Sequence, residues 1–137
     1  MKKVIIALVA GLLSMGLVVT VLQARPIKRF DKRTQMCRFI ADGQLGWNSE
    51  PWGTGGKKFR EVCKNCHHRD NNKGARFLYA ASFVSSAWNR IFAERRVKCA
   101  RDGSWNVLSE AELEMVNDYL YRNADWTYSP NSADSCG

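Results

Sequence analysis

The sequence predicts an all-α fold, a small helical domain preceded by an N-terminal signal or membrane-anchor helix. Three observations carry that expectation. Apolar residues run without a charge from Val4 to Leu22, behind Lys2 and Lys3. Farther on, segments near 55–63, 76–96 and 108–120 repeat apolar residues at three- and four-residue steps, the period of a helix with one buried face. At the end of the first of these stands Cys63-Lys64-Asn65-Cys66-His67, around which the helices can gather. With 137 residues, 45% hydrophobic and 25% charged, the chain has room for one sizeable core and not for two.

Residues 1–24 have the order of an export segment: basic, then apolar, then Gln23-Ala24 ahead of a charged stretch. The apolar run is long for a cleaved signal and about long enough to span a bilayer, so a cleaved signal and a retained anchor are both open. Either one places the rest of the chain in the periplasm or on the outer face of the cytoplasmic membrane. Arg25, Lys28, Arg29, Lys32 and Arg33 follow the run, against the positive-inside bias, where they can meet anionic headgroups if the anchor is kept. The formal charge is +8; residues 1–24 hold two of the 21 basic residues and none of the 13 acidic ones, so the remainder is still basic at +6. Export and the lack of an aromatic-basic recognition motif argue against a nucleic-acid partner. Residues 25–54 scatter Pro26, Pro51, Gly43, Gly46, Gly53, Trp47 and Trp52 without sustained period, and read as a linker that wraps the domain or leads to the membrane. Residues 55–137 make up the domain and its polar C-terminal tail.

Two thiols separated by two residues and followed at once by an imidazole are the attachment pattern for c-type haem. The spacing lets Cys63 and Cys66 each form a thioether to a vinyl group on one porphyrin edge, and holds His67 beneath the ring as an axial iron ligand. One covalent haem c is the expected cofactor. The same Cys-x-x-Cys string also serves thiol-redox sites and half of a zinc site, so its surroundings decide.

Gly55, Phe59 and Cys63 follow one another at four-residue steps along one helical face, a glycine that admits a second helix and an aromatic to cover a haem edge. Near the C-terminus, Leu108, Met115, Val116, Tyr119 and Leu120 share an apolar arc, opened by Ser109 and Glu112 as a capping box. Together with the pentapeptide, these two helices resemble the monohaem class I c-type cytochrome family, over roughly Gly55 to Asn123. The resemblance implies a class I cytochrome c-like fold around one covalent haem, with the first and last helices crossing, and electron transfer as the activity. Between them, residues 76–96 depart from the family. They read as one long amphipathic helix through Phe77, Ala81, Val84, Trp88, Ile91 and Phe92, closed by Arg95 and Arg96 where positive charge suits the helix dipole.

The family's sixth iron ligand is usually a methionine shortly before the last helix. No methionine stands between His68 and Ser109 in this chain, and Cys99 occupies that place. Cys99 has two readings: a thiolate ligand, which would lower the reduction potential, or half of a disulfide with Cys136 or Cys37, which export permits. A Cys99–Cys136 bridge would pin the polar tail onto the domain. Met115 and Met36 are further ligand candidates, and an open or water-bound iron site is another alternative.

Lys57, Lys58, Arg60, Lys64, Arg69, Lys73 and Arg76 surround the motif, with Glu61 and Asp70 as the acids among them. Such a rim suits redox partner proteins with an acidic docking surface; the alternative is a solvated face that balances the haem propionates. The expectation is an exported monohaem carrier passing single electrons between respiratory proteins. It competes with a haem-based small-ligand sensor or peroxidase-like enzyme with an open sixth site. It also competes with a thiol-disulfide oxidoreductase using Cys63 and Cys66, which calls for strand-helix-strand surroundings. No residue is assigned a catalytic role.

Overall fold

A computed structural model describes residues 25–40, 53–125, 127 and 136 of the chain. The described architecture is mixed: an antiparallel hairpin, β1 (Lys28–Asp31) and β2 (Met36–Phe39), lies against a group of helices. The helices are α1 (Gly53–Glu61), α2 (Ser85–Glu94), the single turn α3 (Lys98–Arg101) and α4 (Glu110–Arg122). Short 3-10 turns at Cys63–Asn65 and Ala80–Ser82 complete the order. The expected signal or anchor helix lies outside the described residues, as do Trp47 and Trp52. Among the described residues no helix is long and apolar enough to cross a membrane.

The hairpin overturns the all-α, class I cytochrome c-like expectation, and it lies within the stretch read as a linker or wrapping segment. Its turn is built by Asp31, whose Oδ1 accepts from the backbone N–H groups of Arg33 (2.8 Å) and Thr34 (3.2 Å), and Gln35 closes it in the left-handed region at φ 58°. The side that β1 buries holds Arg29 and Asp31, while Phe30 is only half-buried. Strand alternation is present with charge on the inner side, and so it does not register as a hydrophobic period of two.

Charge is what docks the hairpin. Arg29 Nε donates to Asp118 Oδ1 on α4 (2.7 Å), Nη1 to Asn89 Oδ1 on α2 (2.9 Å) and Nη2 to Asp31 Oδ2 (3.0 Å). Arg38 from β2 pairs with Asp118 (2.8 Å) and Glu114 (2.6 Å), and Asn89 returns a bond to the Phe30 carbonyl (2.9 Å). Arg29 and Asp118 are each 1% exposed, so neither has water as an alternative partner. Removing one member of such a buried pair costs about 3–5 kcal/mol, because the other is left charged and unpaired. The hairpin end adds a small apolar contact, Ile40 against Tyr121.

The main core lies between α1, α2 and α4. Phe59, Trp88, Phe92, Leu113, Val116 and Leu120 meet there, with Trp105 and Leu108 from the loop before α4. The crossing of α1 and α4 follows the sequence expectation. A Cβ on Gly55 would collide with the Met115 carbonyl oxygen, so the two backbones touch where glycine is the only residue that fits. Phe59 and Tyr119 flank the contact with ring centroids 6.0 Å apart. The expected capping box is also formed: Ser109 Oγ accepts from the Glu112 N–H (3.2 Å) and Glu112 Oε2 accepts from the Ser109 N–H (2.9 Å).

The long helix expected over 76–96 is replaced by extended chain to Tyr79, a 3-10 turn, and the shorter α2. Long-range contacts prevent the helix from starting earlier. Val84 forms a parallel bridge with Asp125, whose N–H donates to the Phe83 carbonyl (3.0 Å), and the Trp88 indole N–H holds the Ala80 carbonyl (2.7 Å). These contacts take the backbone groups that a first helical turn would use. Phe77 is left 37% exposed.

Two outcomes test this packing. Gly55→Ala is expected to lower the unfolding free energy by about 2 kcal/mol or more, measured by urea denaturation, because the two helices must separate to admit a methyl group. Lys58 Nζ also bonds Glu112 on α4 (2.8 Å); that bond, with the Ser109 hydrogen bonds, holds the Glu112 carboxyl down at about 2, below its ordinary 4.5. A depressed carboxylate stabilises the fold fully above its unfolded value and loses that contribution as pH falls through the folded value. Stability of the parent should therefore drop between about pH 4.5 and 2 more steeply than that of Glu112→Gln, followed by thermal unfolding across that window.

Candidate functional site

The end of α1 turns sharply at the pentapeptide. The Cys63 carbonyl accepts from the N–H groups of both Cys66 (3.2 Å) and His67 (2.9 Å), which folds the five residues into one compact turn. Cys63, Cys66 and His67 consequently line a single cleft of about 230 Å³ that reaches solvent. Its other walls are mostly apolar, with Phe59 from α1, Val62 just after it, Trp88 and Phe92 from α2, and Leu120 from α4. Such a cleft, with a few convergent polar groups on apolar walls, is the usual form of a cofactor site.

The imidazole of His67 is oriented by a backbone group. Its Nδ1 lies 2.6 Å from the Arg76 carbonyl oxygen. A carbonyl only accepts, so Nδ1 carries the proton and, in the neutral ring, Nε2 keeps its lone pair. A hydrogen bond of this kind is the usual second partner of a metal-bound histidine, because it selects the tautomer and raises the ligand's basicity.

The Arg76 carbonyl is itself held by a stapled loop. Asn71 Nδ2 donates to the carbonyls of His68 (2.8 Å) and Ala75 (2.7 Å), while its Oδ1 accepts from the N–H groups of Lys73 (3.1 Å) and Ala75 (3.0 Å). Lys64, inside the motif, donates to the Leu78 carbonyl (2.8 Å), and the Leu78 N–H donates to His67 O (3.2 Å). One asparagine and one lysine thus fix both ends of the segment that aims His67. The run Asn71-Asn72-Lys73-Gly74 carries a turn signature, with Gly74 at φ +63°, yet the role of Asn71 was not legible from residue type alone.

Part of the expected basic rim has local work. Lys64 stacks over the Phe77 ring at 4.0 Å, Arg69 over the same ring at 5.6 Å, and Arg76 over Phe83 at 5.2 Å. Lys73 reaches the Cys66 sulfur at 3.6 Å. These contacts hold the loop against the cleft while leaving positive charge at its edge.

The disulfide reading of Cys99 is corrected. Cys37 on β2 is bonded to Cys136, closing a loop with a sequence separation of 99 and leaving Cys63, Cys66 and Cys99 as free thiols. The hairpin carries Cys37 to Cys136, whereas Cys99 on α3 lines the cleft with Cys63. Burial raises the Cys99 thiol, and the hydrogen bond that its sulfur receives from the Trp105 side chain opposes that rise. Cys63 is pushed up to about 12, by burial first and then by the nearby Cys99 and Cys66. Neither alternative methionine lines the cleft: Met36 is 63% exposed on the hairpin, and Met115 is half-buried on α4. Among the described residues no three His, Cys, Asp or Glu side chains converge closely enough to hold a bare metal ion.

The staple predicts a local effect. Asn71→Ala is expected to speed amide hydrogen exchange at Lys73, Ala75 and Leu78 by about tenfold, the equivalent of roughly one lost hydrogen bond, with α1 and α4 amides unchanged. Comparison with family models, with curated proteins and with solved structures finds no match to this chain.

Proposed function

We propose that this chain is an exported monohaem c-type protein that carries single electrons between redox partners. The observation that supports it best is the meeting of Cys63, Cys66 and His67 on the wall of one apolar cleft, with His67 Nδ1 held by the Arg76 carbonyl. Residue types and surroundings both fit a haem: two thiols for covalent attachment, one imidazole with Nε2 free to ligate, and aromatic walls to exclude water. Bound there, the haem supplies a one-electron ferric/ferrous couple.

The residues have separable roles. Cys63 and Cys66 would hold the group covalently, each through a thioether. Both must be thiols beforehand, and both are free in this fold. His67 would hold the iron through Nε2, and Asn71 and Lys64 hold the segment that keeps the ring in place. Phe59, Trp88 and Phe92 keep the cleft apolar, which favours the iron state of lower charge. Lys73, Arg69 and Arg76 leave the edge positive, suited to an acidic partner surface that sets encounter rate and orientation.

Thiol-disulfide exchange fits less well. Attack requires an accessible thiolate, whereas Cys63 is packed against the core and its thiol is pushed up to about 12. The Cys37–Cys136 bridge agrees with an oxidising compartment, as export requires.

Intact-mass spectrometry of the full chain, produced alongside a c-type haem maturation system, tests the proposal. One covalent haem is expected on the parent and none on the Cys63→Ala/Cys66→Ala double variant. A parent that matures without added haem mass overturns the reading.

A further inference from the structure

Given the haem reading, on which this step rests, the iron needs a second axial partner or is left open to solvent. Among the described residues lining the cleft, few side chains bear a lone pair suited to iron. Cys63 and Cys66 are committed to thioethers and His67 to the first axial position. The Ser104 hydroxyl is directed to Asp102 Oδ1, Arg76 is cationic, and Trp88 and Trp105 offer only N–H donors. One soft donor remains, the sulfur of Cys99.

Three features make that sulfur a built feature of the cleft and not an incidental thiol. The Cys37–Cys136 bond uses the other two cysteines outside the motif, so Cys99 has no covalent partner. The chain from Cys99 to Trp105 is folded back by a turn: Asp102 Oδ1 accepts from the Ser104 N–H (3.0 Å), Gly103 takes φ +83°, and the Asn106 N–H bonds Gly103 O (2.9 Å). The turn returns Trp105 to the wall of the cleft that Cys99 also lines. Trp105 is itself fixed, 9% exposed and stacked on Phe92 with centroids 4.8 Å apart and planes 20° from parallel.

We infer that Cys99 is the second axial iron ligand of this protein, a thiolate, and that Trp105 is a positioning residue whose indole N–H tunes it. To hold the iron, Cys99 would release its thiol proton to solvent and offer a sulfur lone pair, with no electron changing hands. A thiolate stabilises ferric over ferrous iron, and a hydrogen bond to the sulfur withdraws density and moderates that preference. The class of electron exchange implied is one of low potential.

The test uses full-length matured holoprotein as parent, Cys99→Ala, Cys99→Met and Trp105→Phe, with covalent haem first verified by mass. Ferric absorption, electron paramagnetic resonance and reduction potential are recorded, and far-ultraviolet circular dichroism checks folding. The parent is expected to be low-spin with a sulfur-to-iron charge-transfer band. Cys99→Ala should lose that band and become high-spin, and Cys99→Met should stay low-spin with a raised potential. Trp105→Phe, which keeps the stack on Phe92, should keep the band and shift the potential downward. A folded, haem-bearing Cys99→Ala protein with the parent's spectrum and potential overturns the ligand assignment and leaves the haem reading intact. An unchanged potential in Trp105→Phe overturns the tuning role. Should Cys99→Ala not fold, a parent spectrum without the charge-transfer band overturns the assignment by itself. A parent without haem overturns the haem reading and this inference together.

Discussion

The close approach of two backbones at Gly55 sets the geometry from which the rest follows. With only a hydrogen there, α1 rests on the main chain of α4 at Met115, Phe59 one turn farther along enters the core at a fixed depth, and Val62 two turns along packs against it. Cys63 inherits that depth. Its carbonyl then gathers the N–H groups of Cys66 and His67, so the chemistry-bearing residues are located by the helix crossing before any loop contributes. A larger residue at Gly55 would displace the start of the motif as well as strain the packing.

The second constraint is electrostatic. Hydrophobic contact between the hairpin and the helices is slight, and the docking rests on Arg29 and Arg38 against Asp118, Glu114 and Asn89. Buried ion pairs contribute modestly to net stability when compared with apolar packing, but they are exacting about register. A one-residue slip of β1 would send Arg29 outward and bring Lys28 or Phe30 against Asp118. The hairpin is therefore specified by what it must not bury, which suits an element that also holds Cys136 through Cys37.

These two constraints differ in how far the sequence discloses them. Gly55, Phe59 and Cys63 at four-residue steps, and Ser109 with Glu112, are local patterns whose physical meaning is complete within one helix, and each is realised. The hairpin was hidden because its inner side is charged, and the pairing of Arg29 with Asp118 joins residues 89 apart in the chain. The start of α2 was misplaced because Val84 is held by Asp125, a partner that helical periodicity cannot report. Three cysteines outside the motif allow three pairings, and only the path of β2 selects Cys37 with Cys136. In the cleft, the grouping of Cys63, Cys66 and His67 follows from their spacing, whereas Asn71 acts through backbone contacts that depend on loop shape.

The Cys37–Cys136 bond has a topological consequence. It closes a covalent ring that contains α1, the motif, α2, α3 and α4, so every wall of the cleft belongs to one loop of chain. A protease cutting once in the exposed stretch around Asn72 would not release a fragment, since the two pieces stay joined through sulfur. The wall bearing Cys63, Cys66 and His67 would remain tethered to the wall bearing Cys99 and Trp105. A molecule nicked there would keep both halves of the cleft.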